Sequence, residues 1–475
     1  MEVSSLKSKV REMIPDALHE LRARLESTSI GKRLLHGAFW STMGTVGARA
    51  LALVAAVLAA RILGKTHYGE LGIIQSTVGM FGTLAGFGMG TTTAKFVAEL
   101  REKDPAKAGR VIALSSLVSW AASSGLAIVL IFAASWLCKN TLAAPHLTSE
   151  LQYSALLLLL SGVNGAQIGV LFGFEAFKAV ARVNFLAGIL NFPLTVGGAL
   201  LFGLPGIIVG MILAQGAGCV LNRFALVREA KLHNIPISYS SCLAELPVVW
   251  KFSVPAVLAH LVISSVNWAA ASMLVRQPNG YSEMGAYNAA NQWFNALMWL
   301  PYMFSTAVLP IFAERLGAGD RPGSVRLLRM SVKVNTLAAF PFVILGCLLS
   351  PYIMMCYGPG FRSAWPTLVV VLIAAGLLSL DIPAGELITA SGRMWAGFCA
   401  NVAWAVLYLG VTALLLKWGS MGLASARMVA YFAHVIWSFS YSYLVVLKMK
   451  GDGTTPSGDA GALGAYVSPE ADFNA

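Results

Sequence analysis

Twelve apolar stretches recur along the chain, at 37–60, 71–92, 112–137, 152–173, 183–203, 205–226, 252–275, 286–311, 334–355, 365–390, 396–416 and 420–446. Each is long enough to cross the roughly 30 Å hydrocarbon core of a bilayer. Lipid offers backbone N–H and C=O groups no partner, so such spans satisfy their hydrogen bonds internally, as helices. The chain is 57% hydrophobic and only 12% charged, against about 25% charged in a soluble domain. In water it would expose large apolar patches and aggregate. The fold class that follows is an all-α polytopic membrane protein of about 12 transmembrane helices.

A net charge of +12 would suit a nucleic-acid partner, but no basic, aromatic-interleaved soluble domain exists to carry one. The 34 Lys and Arg divide instead into 26 on one side of the twelve-span map, 6 on the other and 2 within spans. By the positive-inside rule the rich side is cytoplasmic, so both termini are cytoplasmic and membrane lipids are the natural contacts of the charged loops. Trp40, Trp250 and Trp395 fall at inner span ends, and Trp136, Trp365 and Trp418 at outer ones, as in an aromatic belt.

Residues 1–33 carry Leu6, Val10, Ile14, Leu18, Leu21 and Leu25 at helical spacing among basic residues, which predicts an amphipathic cytoplasmic segment. The predicted division continues with a first lobe over 34–232, a cytoplasmic linker over 233–250, a second lobe over 251–447 and a disordered cytoplasmic tail over 448–475. None of the six cysteines forms a CxxC pair, so no metal site is expected. Cys138 and Cys356 fall near outer span ends, where both a disulfide and chance placement fit.

The two halves repeat. Arg61, Glu99, Lys178 and Gly206 are matched by Arg276, Glu314, Arg393 and Gly422, at offsets of 215, 215, 215 and 216. Four matches at equivalent points of the map indicate a duplicated six-helix unit. Because six is even, the copies run in parallel, an architecture that places a transporter's substrate between its halves.

Charge within a span costs roughly 2.5–3.5 kcal/mol by insertion scales and calls for a reason. Arg49 lies halfway along span one, and its guanidinium suits phosphate; a fixed interhelical ion pair is the structural alternative. Asp381 and Glu386 lie in span ten as ion-coupling or gating candidates. Pro383 follows Asp381 and cannot donate to the Ser379 carbonyl, so the helix is expected to free that group. Asp381 could bind a coupling proton or sodium ion, or neutralise Arg49 across a cavity. Arg427, in the outer third of span twelve, is read either as a substrate contact or as a snorkelling cation. In span eight, Asn288, Asn291 or Gln292, Asn295 and Trp299 recur at three- or four-residue steps on one face. Amides and an aromatic ring there suit a saccharide path; interhelical hydrogen bonding is the plainer reading. His260 in span seven reads as a hydrogen-bonded core histidine, with a proton site as the alternative. No GxxxxGK[ST], HExxH or GxSxG occurs and outer loops are short, so an enzyme is not expected.

Gly37-Ala38-Phe39-Trp40, Ala59-Ala60-Arg61-Ile62-Leu63-Gly64 and Tyr68-Gly69 resemble the first helical hairpin of polysaccharide exporters. Gly86-Phe87-Gly88-Met89-Gly90, with Lys95-Phe96 and Glu99, is similar to the end of their second helix; Ser391-Gly392-Arg393 and Gly422 resemble later motifs. The resemblance covers about residues 34–446. It points to the Wzx-type lipid-linked oligosaccharide flippases of the multidrug/oligosaccharidyl-lipid/polysaccharide exporter superfamily. It implies a MATE-like V-shaped bundle with alternating access in a bacterial cytoplasmic membrane, and a cationic lumen for an undecaprenyl-pyrophosphate-linked repeat unit, with Arg49 on the phosphate. No cofactor is implied beyond a coupling proton or sodium ion; contact with a glycan polymerase or export machinery is. A cation-coupled multidrug antiporter, in which Asp381 titrates, is the first alternative. A membrane-embedded glycan polymerase using Arg49 is the second.

Overall fold

The computed structural model describes residues 29–248 and 253–447; along 29–45, at 248, and along 254–260 and 306–307 it describes the backbone path alone. Most of the amphipathic N-terminal segment, the end of the linker, the tail, and the side chains of Trp40, Trp250 and His260 therefore lie outside the described residues.

Among the described residues, eight stretches are long and apolar enough to cross a membrane, and Leu261–Val275 is a shorter apolar helix. Three of the eight are each two helices, because a glycine of positive φ interrupts them: Gly64 (φ 73°), Gly203 (φ 63°) and Gly419 (φ 58°). The twelve helices are α1 (29–63) and α2 (65–85, resumed over Met89–Leu100), α3 (Pro105–Trp136), α4 (Thr148–Gly173), α5 (177–202) and α6 (204–232), then α7 (Val254–Val275), α8 (Gly280–Gly317), α9 (Arg321–Cys356), α10 (Trp365–Ala390), α11 (Met394–Leu415) and α12 (Gly419–Tyr441). The protein is a multi-pass membrane protein. One expectation needs correction: span two is not continuous. Phe87 (φ 44°) and Gly88 (φ 63°) break it, and beyond the break a Cβ on Gly169 of α4 would lie 2.1 Å from the Gly90 carbonyl oxygen. The glycine-rich motif there permits close helix approach.

α1–α6 pack mainly on one another, as do α7–α12, and the two sets meet where α1–α2 lie against α7 and α8. The duplication is visible in the backbone itself. Gly203 (ψ −134°) and Gly419 (ψ −134°) share one conformation 216 residues apart. The positive-φ turn residues Gly64 and Asn279, and Ala143 and Gly358, are each 215 apart. Asp104 accepts from the Lys107 N–H at the start of α3, and Asp320, 216 residues later, accepts from the Gly323 N–H at the start of α9. These are N-caps, which satisfy otherwise orphaned amides.

The halves interlock through two glycines. A Cβ on Gly69 of α2 would lie 1.8 Å from the Tyr281 carbonyl oxygen, and one on Gly285 of α8 would lie 2.0 Å from that of Lys65. Each glycine lies four residues after the carbonyl its partner meets, so the contact is reciprocal and the axis relating the halves passes through it. Around it Lys65 Nζ lies 3.3 Å from Glu283, and Glu283 accepts from the Ser420 N–H (2.8 Å) and Oγ (2.6 Å). Tyr281 donates to the Leu142 carbonyl at 2.8 Å. Tyr68, Tyr357 and Phe361 fill the space beside it with ring centroids 5.8–6.4 Å apart. This end, which carries the Gly64, Gly203 and Gly419 turns, is shut.

The freed carbonyl expected above Pro383 is present and satisfied: Asn335 of α9 donates to the Ser379 oxygen at 3.2 Å, and both residues are buried. Asn335→Leu is expected to lower stability by about 1–3 kcal/mol, the cost of an unmet buried acceptor. Thermal unfolding in detergent measures this, and Asn335→Ser should recover part of the loss. The cysteines of the described chain are free; Cys138 is buried and Cys356 exposed.

Candidate functional site

Arg427 is the most unusual side chain of the second half. It is 7% exposed, so it does not snorkel. Its guanidinium carbon sits 3.7 Å from the centroid of the Phe294 ring and 5.5 Å from that of Tyr431. One terminal nitrogen donates to Asn291 Oδ1 (2.8 Å) and the Tyr287 hydroxyl (3.2 Å), the other to the Tyr431 hydroxyl (3.4 Å). Its Nε is buried without a partner. Among the described residues no carboxylate lies within ion-pair distance of it. Aromatic faces attract a cation through their quadrupole, but dipoles and rings alone leave a full charge unneutralised, and removing a charge from water costs several kcal/mol. The arrangement holds a fixed positive centre that an anion would complete.

The acids of α10 do not neutralise it. Asp381 is 6% exposed and its Oδ2 lies 2.8 Å from His434 Nδ1 on α12. Asp381 Oδ1 and His434 Nε2 are both buried and unpaired. The expected alternative pairing of Asp381 with Arg49 is not the one found: a closer titratable partner, one helix away within the same half, takes the carboxylate. Glu386 accepts from Ser305 of α8.

The α8 stripe divides along its length. Asn288 is 7% exposed and packs on Gly72, where a Cβ would lie 2.9 Å from its amide carbon. Asn291 serves Arg427, and Gln292 is half-buried beside it in sequence. Asn295 is exposed and Trp299 half-buried; the Arg49 guanidinium of α1 stands 5.8 Å from the Trp299 ring centroid. Asn288 is thus a packing residue, Asn291 a bridge to the buried cation, and Arg49 with Trp299 an open contact between the halves.

His434 and the phenols of Tyr287 and Tyr431 were not anticipated. The signal was available: Arg427, Tyr431, His434 and Ser438 recur at steps of four, three and four on one face of α12. Tyr287 lies one turn before Asn291 on α8.

Residues 34–315 match the family described as "Polysaccharide biosynthesis protein", and residues 255–389 match the family described as "MatE". Ralstonia nicotianae "EPS I polysaccharide export inner membrane protein EpsE" is 23% identical over 289 residues, covering 59% of this chain and 64% of that protein. Rhizobium meliloti "Succinoglycan biosynthesis transport protein ExoT" is 24% identical over 355 residues, covering 72% and 66%. The chain thus spans just under two thirds of the length of these relatives. Among solved structures, an inward-facing multidrug resistance MATE transporter superposes with TM-score 0.69 at 15% identity, over 86% of this chain and 96% of that one. The inward closed form of the lipid II flippase MurJ superposes with TM-score 0.64 at 17% identity, over 85% and 87%. The two structural likenesses give the fold, which is MATE-like. With more than half of its length matched, from α1 through α8, the chain belongs to the polysaccharide biosynthesis protein family.

Proposed function

We infer that the protein is a flippase that carries undecaprenyl-pyrophosphate-linked oligosaccharide from the cytoplasmic to the outer leaflet of a bacterial inner membrane, for exopolysaccharide or O-antigen export. The observation that carries this reading is Arg427: a buried cation with a free Nε and no carboxylate within ion-pair distance among the described residues, as a diphosphate carrier needs. Arg49 beside Trp299 supplies a second cation where α1 meets α8, and Asn291, Asn295 and Trp299 offer amides and a ring to sugar. The names of the relatives, which concern polysaccharide export and succinoglycan transport, agree. With both termini cytoplasmic, the shut end faces outward, so this conformation presents its substrate path to the cytoplasm, and the two lobes rock about the interlock to reverse access.

Deleting the gene and profiling lipid-linked glycans by mass spectrometry tests the reading. Accumulation of one finished repeat unit with loss of surface polymer is expected; unchanged intermediates and polymer would overturn it. A cation-coupled drug antiporter is the second reading, favoured by the MatE match over 255–389, and unchanged glycans with raised drug sensitivity would select it.

In either case Asp381 and His434 are the coupling candidates, since a carboxylate and an imidazole with one unpaired buried atom each can take up a proton or a sodium ion. Asp381→Asn is expected to cut transport at least about tenfold and to flatten its dependence on the proton or sodium gradient, whereas wild type keeps that dependence. Uptake into inverted vesicles under imposed gradients measures both.

A further inference from the structure

At the end of the bundle opposite the interlock, α9 carries a narrow basic stripe. Arg326, Arg329 and Lys333 are all exposed and, at 3.6 residues per turn, lie within about 60° of one another around the helix. The same azimuth continues into Leu337 (64% exposed), Ile344 (58%) and Leu348 (71%), the side chains that an apolar, lipid-facing helix presents. The three cations therefore crown an apolar exposed face of α9, a helix that packs mainly on α8 and α10 of its own half. Among the described residues none of them has a carboxylate within ion-pair distance, although the neighbouring Arg315 is held by Asp320 at 3.0 Å.

Duplication and topology do not account for the stripe. In the first half the positions equivalent to Arg326, Arg329 and Lys333, by the offset of 216 seen at the Asp104 and Asp320 caps, are Arg110, Ala113 and Leu117. Arg110 is tied to Glu245 at 3.1 Å, Ala113 is buried and Leu117 is 43% exposed. The corresponding face of α3 is thus neutral. Three cations ending α6, Arg223, Arg228 and Lys231, are also exposed but spread over about 140° of helix azimuth. One helix of one half carries three converging cations immediately before its apolar face begins.

We propose that Arg326, Arg329 and Lys333 form a binding site for the phosphate headgroup of an anionic phospholipid, whose acyl chains lie along Leu337, Ile344 and Leu348. Charge complementarity and continuity with the lipid-facing apolar surface select this occupant. The site does not depend on what the protein transports. A cation beside an anionic membrane surface gives about a fivefold preference, so three acting together give a preference on the order of a hundredfold.

The test uses the full chain in nanodiscs of mixed phosphatidylglycerol and phosphatidylcholine, with retained lipids counted by native mass spectrometry after extraction. The wild-type chain is expected to keep phosphatidylglycerol selectively, R326K/R329K to keep it, and R326Q/R329Q/K333Q to lose it on the order of a hundredfold. Thermal unfolding in phosphatidylcholine alone should be the same for all, which establishes that the triple variant folds. R223Q/R228Q/K231Q, with equal charge removed from α6, should retain the lipid. Equal loss in that control would make the effect one of net charge and overturn the site. No selectivity in the wild-type chain would also overturn it. So would displacement by farnesyl diphosphate at lower concentration than by short-chain phosphatidylglycerol, because it would assign the stripe to a lipid diphosphate instead.

Discussion

Arg427→Gln is expected to reduce polymer export on the order of a hundredfold or more while the protein still inserts and accumulates in the membrane. Glutamine can keep a hydrogen bond to Asn291 or to a phenol, so the pocket loses its charge with less disturbance than an alanine would cause. Each hydrogen bond to a charged group is worth about 1.5–3 kcal/mol, and loss of two such contacts to an anion passes a hundredfold. Arg427→Lys keeps the charge over Phe294 but loses the planar fork that reaches Asn291, Tyr287 and Tyr431 together. It should fall between, nearer the glutamine variant. Surface polymer, normalised to membrane-inserted protein, is the measurement, with lipid-linked repeat units quantified in the same cells. Near-normal export by Arg427→Gln would make the residue a structural cation and leave the substrate contact to Arg49.

The second large effect belongs to the interlock. Gly69→Leu places atoms where the Tyr281 carbonyl stands, and Gly285→Leu does the same at Lys65. Backbone cannot yield as a flexible side chain can, and overpacking costs about 1–3 kcal/mol even where a core relaxes. Here α2 and α8 must part, which withdraws Lys65 from Glu283 and Tyr281 from the Leu142 carbonyl. Each variant should lose most transport and open the shut end. Single cysteines at Tyr68 and at Trp293, whose indole N–H donates to the Tyr357 hydroxyl at 3.1 Å, placed in a chain whose native cysteines are replaced by serine or alanine, should then react with a membrane-impermeant maleimide at least about tenfold faster than without the leucine. Because the contact is reciprocal, the two leucines should be strongly non-additive: once one has separated the helices, the other adds little. Unchanged labelling in both single variants would place the pivot elsewhere.

Why some of this was legible in the sequence and some not follows from the kind of information each feature carries. Span length and the absence of charge identify each helix without reference to any other, so the twelve helices were readable. A constant offset is a one-dimensional property, and the structure repeats it in Gly203 and Gly419, and in the Asp104 and Asp320 caps. The break at Phe87 was hidden because hydropathy does not register φ. Partner choice was the least accessible. Depth along the spans suggested Arg49 with Asp381, but depth says nothing of azimuth, and Asp381 pairs with His434 instead. Arg427 looked able to snorkel by its distance from the span end; only packing revealed Phe294 and three hydroxyl or amide acceptors around it. The members of the α8 stripe meet different neighbours at different heights, which periodicity cannot distinguish.

The reciprocal seat of Gly69 and Gly285 has a consequence for how such a chain could arise. A contact in which residue i of one unit meets residue j of the other, and j meets i, is the self-complementary surface by which two identical chains close a pair. A six-helix protein bearing one such glycine could have dimerised through it, with both subunits obliged to carry the same interior. Joining the two on one polypeptide lifts that obligation. The positions equivalent to Arg427, Asp381 and His434 in the first half are Met211, Ala166 and Gly218, so at these three positions the second copy holds titratable groups and the first holds none. Fusion thus let the symmetric joint persist while the charges of the two copies diverged.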